Sequence, residues 1–491
     1  MRPFRYRTTP FNHQIDTVLK VREMGHCAIL NDMGTGKGKC VVDIVDDAQD
    51  RSDRPLRILI VAPNVMVDSW ADEFSIHSRN FKDTTIVRHA KRDKRADLAR
   101  NGSGVFIINY EGVRTLRCKP GADRVDGKTN LAYMDWDYVI ADEVTALNSR
   151  SSAQSRAMRD FVKQCPGATR IGLTGTPITD QPLNVFSVFL FIDPSVFGEN
   201  FFWFRNRYAI TRNEQIYIKG IARQIVHVDG YQNTEELWQK VMSKSVRWRK
   251  EDCGLDLPRK VFSMVPVEWP KKARKIYDAM AQERITAIGG KVVAAANVIS
   301  SLSKLRQICQ GWMYTDTDGG YDRKYELIDG KPAKVDVVTS LLSMSPDPFI
   351  IFCDFNADVE ILKTHLTDFV VISGLESDEE RAEAKRRFQS GNVKVCICKT
   401  SVTKFGVTLT AAPNAIYYSN DWGLEQRLQS LERIHRIGQE SDVVSYFDIC
   451  MKDSIDVAIR MLHQSKAKMV QSVTGEQISM VLNGEVPSGW T

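Results

Sequence analysis

The ten cysteines, which run from Cys27 to Cys450, include no CxxC pair. That argues against structural zinc and for buried thiols in a reducing compartment. The closest pair is Cys396 and Cys398. On an extended strand these two are expected to face opposite ways and so not to share a metal. No apolar run approaches the roughly 20 residues of a membrane helix. The opening MRPFRYRTTPFNHQ carries arginines but no apolar signal core. A cytoplasmic protein with no membrane association is therefore expected. Tandem repeats and long low-complexity tracts are lacking as well. Charge of one sign is scarce: 67 Lys and Arg face 61 Asp and Glu, for a net charge of +6. So small an excess does not by itself argue for nucleic-acid binding, although a basic face can hide in a mild average.

What is present is an ordinary globular balance, 43% hydrophobic and 26% charged over 491 residues. That suits two large domains or three smaller ones. Short apolar runs fall in two blocks. The first holds HCAIL (26–30), RILIVA (57–62), VFIINY (105–110), YVIADE (138–143) and RIGLTG (170–175). The second holds FIIFC (349–353), FVVIS (369–373), VKVCIC (393–398), AIYYS (415–419) and VSYFDI (444–449). Runs rich in Val and Ile, separated by helical patterns, predict strands buried on both faces of parallel sheets, and so an α/β class with two lobes. The middle, 183 to about 312, is richer in aromatic and basic residues, as in FFWFRNRY (201–208) and SVRWRK (245–250). Residues 271–310 read as helical, with LSKLRQICQ spacing its apolar positions three and four apart. Pro258 in LPRK (257–260) interrupts helix, and the lobe boundary is placed near it.

After the first strand comes NDMGTGKGK (31–39). A glycine-rich turn from strand to helix presents backbone N–H groups and a helix N-terminus to phosphate, and Lys37 adds a point charge. Met33, Gly34, Thr35, Gly36, Lys37 and Gly38 are thus candidate nucleotide contacts. Alone, the segment is equally a turn with a surface lysine. The position after the lysine ordinarily carries Ser or Thr, whose hydroxyl ligates Mg²⁺. Here it is Gly38, so either water replaces that ligand or hydrolysis is weakened. Asn31 stands where the strict pattern begins with glycine.

DYVIADEVTALNS (137–149) ends a buried strand in Asp142 and Glu143, with Asp142 placed 105 residues after Lys37. An Asp there can hold Mg²⁺ through water, and the neighbouring Glu can orient the attacking water. Two solvated acids at a strand end are the plainer reading. LTGTP (173–177) ends the next strand, where Thr174 and Thr176 can couple the phosphate site to a moving lobe or simply close a turn at Pro177. In QSLERIHRIGQ (429–439), Arg433 and Arg436 are three apart and share a face if the segment is helical. They suit an arginine finger, or an ordinary basic surface. SVTKFGVTLTAA (401–412) is a small-residue loop containing Gly406.

In this order the motifs resemble the superfamily-two helicases and translocases, and within them the Swi/Snf-related family. DMGTGK is similar to motif I, VAPNVMVDSWADEF (61–74) to motif Ia and its tryptophan segment, and INYE (108–111) to that family's NYE. DEVT stands where DEAH or DESH is usual. LTGTPITD resembles motif III and KLRQICQG the LRQICNHP block without NHP. SVTKFGVTLTAA is a weaker motif V, and RIHRIGQ is the most diagnostic match. The resemblance spans about residues 10 to 470.

That resemblance implies two RecA-like parallel-sheet lobes with helical protrusions and an ATP cleft between them. Lobe 1 would cover 1–258 with a protrusion at about 185–255. Lobe 2 would cover 259–480 with a protrusion at about 262–330, and a tail would follow at 481–491. It implies ATP and Mg²⁺ as cofactors, with Gln14 reading adenine, Lys37 on phosphate, Asp142 on Mg²⁺ and Glu143 on water. Gln429, Arg433 and Arg436 would reach the nucleotide from lobe 2, with Thr174, Thr176 and Gly406 as coupling residues. Double-stranded or branched DNA is the implied partner. Phosphate tracking needs Lys and Arg, and Arg205, Arg207, Arg247, Arg249 and Lys250, near Trp203 and Trp248, are the candidates, with core aromatics and solvated basic flanks the alternative for at least half of them. The expectation is a monomeric, nucleoid-associated translocase of a bacterial or virus-infected cell, acting in replication, recombination or repair. A strand-separating helicase and an ATP-switched DNA-binding module are the alternatives.

Overall fold

The computed structural model describes residues 5–116, 131, 135–175, 182–218, 221–255, 257–290, 295–315, 324–405 and 409–464. Thr176, Gly406 and the expected tail at 481–491 lie outside them. The chain forms two compact units, Met1–Leu255 and Asp256–Thr491. Among the described residues no helix is long and apolar enough to cross a membrane.

The first unit is built on β1 (Cys27–Ile29), β2 (Ile58–Ala62), β3 (Thr84–Ile86), β4 (Val105–Asn109), β5 (Tyr138–Ala141) and β6 (Thr169–Leu173). A hairpin follows, β7 (Ala209–Ile218) and β8 (Ile221–Tyr231), and then β9 (Ser245–Val246). The main sheet runs β3-β4-β2-β5-β6-β1-β9, and every pair in it is parallel. Alternate residues enter opposite cores: Leu59 and Val61 pack on one face, Ile58 and Ile60 on the other. Helices cover both faces, and so the strands are continuous apolar runs.

The second unit contains β10 (Arg259–Val267), β11 (Trp312–Tyr314), β12 (Tyr325–Leu327), β13 (Phe349–Cys353), β14 (Phe369–Ile372), β15 (Val395–Lys399), β16 (Asn414–Tyr417) and β17 (Val443–Met451). Its sheet, β10-β17-β16-β13-β15-β14, is also wholly parallel. Both apolar blocks of the sequence thus become the two sheets of an α/β chain.

Three expectations need correction. The stretch at about 185–255 is not a uniform helical protrusion. Helix Asn184–Ile192 is buried in the core, Ala209–Tyr231 is an antiparallel hairpin, and Ser245–Val246 returns to pair with β1. In the second unit the protrusion cannot start at 262, because the chain from Arg259 to Val267 is β10. Pro266 fits there because β10 is an edge strand. The helices Lys271–Gly290 and Ala295–Cys309 come after it. Finally, Cys396 and Cys398 do not face opposite ways. Residues two apart on a strand share a face, and both thiols lie in one apolar core. Burial pushes the Cys398 thiol up to about 12. No metal-binding cluster of His, Cys, Asp or Glu occurs among the described residues.

Candidate functional site

β5, β6 and β1 lie side by side, and all three end on the same edge of their parallel sheet. Ligands of open α/β sheets bind at such carboxyl ends. The loop leaving β1 leads into helix Lys37–Asp50. Gly34 and Gly36 have φ of 79° and 78°, which glycine adopts without steric cost. A Cβ on Gly36 would also stand 2.4 Å from Gln14 Nε2. Gln14 is buried in the first turn of helix Asn12–Met24. Its Oε1 accepts from Phe11 N at 3.0 Å, and its Nε2 donates to Thr35 O at 3.3 Å. A ring nitrogen of His13 lies 2.8 Å from the same carbonyl. The predicted adenine reader therefore touches the predicted phosphate loop.

Lys37 Nζ donates to the carbonyls of Asn31 and Asp32 at 2.9 and 3.0 Å. Burial lowers its pKa, and the nearby Glu143, Asp142 and Asp32 act in the opposite direction. The loop after β6 approaches from the other side: a Cβ on Gly175 would lie 2.3 Å from Met33 Cγ and 3.1 Å from Lys37 Nζ. Thr174 is buried at the end of β6, and its N–H donates to Ile29 O at 3.1 Å.

Asp142 follows β5. Its Oδ2 accepts the Trp70 indole N–H at 2.8 Å, and its Oδ1 accepts Glu143 N–H at 2.9 Å. The Tyr110 hydroxyl donates to Asp142 O at 2.8 Å. Glu143 has φ of 47°, so the chain turns sharply between the two acids. An oriented carboxylate whose field reaches a phosphate-loop lysine fits Mg²⁺ held through water.

Lys37, Gln14, the loop glycines, Asp142, Glu143 and Thr174 are thus assembled within one unit. Two contributors escaped the sequence reading. Trp70 was visible only as part of its segment, and Asn31 only as a departure from glycine. Asn31 is wholly buried; its Oδ1 accepts Trp248 N–H at 3.0 Å. Asp32 N–H donates to Trp248 O at 2.9 Å, and Asp32 Oδ2 accepts Lys250 N–H at 3.1 Å. A glycine at position 31 would provide no such clamp. Trp248 also lies under the Lys20 ammonium, 5.0 Å from its ring centre.

The suggested DNA contacts divide accordingly. Arg247, Arg249 and Lys250 belong to this strap against the glycine loop, and Arg249 Nη1 stands 3.4 Å from Glu251. Arg205 lies over the Phe202 ring at 5.4 Å, beside Trp203, which is 77% exposed. Arg207 is held in an ion pair by Glu236.

In the second unit Gln429 is buried in helix Leu424–Leu431. Arg433 and Arg436 do not share a helical face, because the helix stops before them. Arg433 N–H donates to Ser430 O at 3.2 Å and Arg436 N–H to Ile434 O at 3.1 Å, both tighter than α-helical pairing. Burial of Ile434 and a contact of 2.9 Å between His435 Nε2 and Pro258 O anchor this turn instead.

Comparison with known proteins agrees with the order of these motifs. The SNF2-related domain matches residues 13–312, and the helicase conserved C-terminal domain matches 333–438. The ISWI chromatin-remodeling complex ATPase ISW2 of Saccharomyces cerevisiae is 24% identical over 79% of this chain and 34% of its own length. An uncharacterized ATP-dependent helicase of Mycoplasma genitalium is 24% identical over 92% of this chain and 40% of its own. The chain therefore spans well under half the length of these two relatives. A solved Sulfolobus solfataricus SWI2/SNF2 ATPase core in complex with dsDNA aligns with 98% of this chain and 96% of its own, at 20% identity and a TM-score of 0.43.

Proposed function

The chain belongs to the SNF2-related family of helicase-like ATPases, and on that premise we propose that it is a DNA-dependent ATPase that translocates on double-stranded DNA. The carrying observation is the assembly of Lys37, Gln14, Asp142 and Glu143 around one glycine loop at the end of β1.

In this reading Gln14 binds adenine and the loop amides surround the phosphates. Lys37 exchanges its two carbonyl acceptors for phosphate oxygens. Asp142 would hold Mg²⁺ through water, and the ion would neutralise charge on the triphosphate. Glu143 orients water for in-line attack on the γ-phosphorus, accepts its proton, and the bond to the ADP oxygen breaks. Gln429, Arg433 and Arg436 reach the same triphosphate from the second unit and stabilise the charge that develops. Thr174, with Thr176 and Gly406, couples the nucleotide state to relative movement of the units, which advances contacts on the DNA backbone.

Arg205 beside exposed Trp203, and the basic strap Arg247–Lys250, support a phosphate-directed and sequence-independent DNA contact. Arg207 is a weaker candidate because Glu236 occupies it. We assign the activity to a monomer working on forked or branched DNA in replication, recombination or repair.

The test is ATP turnover with duplex, single-stranded, forked and four-way DNA and with RNA, using Lys37→Ala and Glu143→Gln as controls. Duplex DNA is expected to stimulate turnover, and both substitutions to abolish it. Displacement of a triplex strand without unwinding of a fork supports translocation. Unwinding of the fork favours the strand-separating helicase. DNA binding that responds to ATP, with turnover no higher than in Lys37→Ala, favours the ATP switch suggested by Gly38.

A further inference from the structure

Gly38 has a spatial cause. It lies in the first turn of helix Lys37–Asp50, outside the positive-φ positions of the chain. The backbone there does not demand glycine, and a helix is weakened by one. As Glu73 lies in the structure, it fills the space a side chain at 38 would enter, so a larger residue there requires Glu73 to move. A Cβ at position 38 would stand 2.9 Å from Glu73 Cδ, 3.0 Å from Glu73 Oε2 and 3.3 Å from Glu73 Cγ. A carboxylate therefore occupies the place where a hydroxyl residue would begin.

Glu73 comes from helix Val67–His77, one turn beyond Trp70. Residues three apart share a helical face, and Trp70 uses that face to hold Asp142 Oδ2 at 2.8 Å. One helix thus orients the carboxylate at the end of β5 and brings a second carboxylate over Gly38, the position next to Lys37. The Glu73 side chain is 41% exposed, so an incoming ligand can reach it. Nε2 of His77, one turn further along the helix, is 3.6 Å from Glu73 Oε2. Carboxylate oxygen is a hard donor of the kind magnesium prefers.

We propose that Glu73 replaces the hydroxyl missing at Gly38 and supplies, with Asp142, the protein oxygens that hold the magnesium of bound ATP. The assignment rests on the reading of the Lys37 loop as the nucleotide site. It has a consequence that a purely structural Glu73 lacks. The extra negative charge favours metal-bound nucleotide and disfavours the metal-free form.

The experiment uses the full chain and a non-hydrolysable ATP analogue. Mn²⁺ affinity of the protein–nucleotide complex is read by electron paramagnetic resonance, and metal-free nucleotide affinity is read in EDTA. Glu73→Gln is expected to weaken Mn²⁺ binding on the order of tenfold and to leave metal-free nucleotide binding equal or tighter. Gly38→Thr alone is expected to weaken both through the clash, and Gly38→Thr with Glu73→Ala to recover Mn²⁺ binding by restoring a hydroxyl. Unchanged Mn²⁺ affinity in Glu73→Gln overturns the proposal, as does equal weakening with and without metal. Lys37→Ala separates the two layers. If it binds nucleotide normally, the loop reading fails. If it loses nucleotide while Glu73→Gln matches the unsubstituted chain, only the role of Glu73 fails.

Discussion

The two units share an architecture and treat charge differently. In the first, the residues at the strand ends hydrogen-bond to neutral groups, Lys37 to two carbonyls and Asp142 to an indole and a backbone amide, while Glu143, Asp142 and Asp32 act on Lys37 through their charge. Buried carboxylates of the helix that follows the loop are in ion pairs: Asp43 with Lys39 at 2.7 Å, and Asp47 with Arg22 and Arg51. In the second unit, charges cancel inside. Asp448, wholly buried on β17, takes Arg427 at 2.7 and 3.0 Å and Arg460 at 2.6 Å. Lys334 and Asp456 meet at 2.7 Å, also buried. Neutral partners orient a charged group and leave its charge available to a ligand. Opposed charges consume each other and lock the elements that carry them. The first arrangement suits the ligand site proposed at the end of β1, and the second keeps the fold of the second unit rigid around its buried charges.

This contrast can be broken by substitution. The largest effect is expected from Asp448→Asn, which strands two buried guanidinium groups. It should cost the second unit about 3–5 kcal/mol, seen as a lower urea midpoint for that unit with nucleotide binding by the first retained. A loss comparable to that of a surface pair would show that the network does not lock the unit.

Next comes a pH effect at His463 in the same cluster. Burial, followed by the nearby Arg427, pushes its pKa down from 6.5 to about 4. The unfolded chain therefore takes up a proton near pH 6.5 while the folded chain resists until about pH 4. Its contribution to stability is full above the upper value and disappears as pH falls through that window. The total is about 3 kcal/mol. Urea unfolding from pH 7 to pH 4 should show His463→Gln losing that part of the slope; parallel curves would contradict it.

The smallest effect belongs to the first unit. Trp70→Phe keeps the packing and removes one hydrogen bond to Asp142, worth about 2 kcal/mol and roughly a thirtyfold fall in ATP turnover. Thermal stability should change far less than turnover. An equal loss of both would make Trp70 a packing residue alone.

The ten apolar runs were readable because strands buried on both faces leave no polar alternation to confuse them. What escaped in the main sheets was marginal, while the longest miss, the β7–β8 hairpin, forms a sheet of its own. β3 is three half-buried residues, β9 is two residues long, and β10 is an edge strand with one solvent-facing side. The Lys37 loop and the Asp142–Glu143 pair could be recognised because each is contiguous. The Trp70–Asp142 and Asn31–Trp248 contacts could not, since their partners are 72 and 217 residues apart. Arg433 and Arg436 were misplaced on a helix because spacing alone cannot tell where Ile434 will be buried.

Local chemistry written in order along the chain was enough to establish two parallel α/β sheets, a glycine-rich turn between strand and helix, and the family membership that the sequence of motifs implies. Buried apolar runs and glycine-rich turns have the same meaning wherever they occur. Tertiary structure alone decided who orients Asp142, why an asparagine begins the loop, and what fills the space over Gly38. Those answers depend on segments that meet only after parallel strands are joined by crossover connections, and no local pattern records which distant side chain arrives.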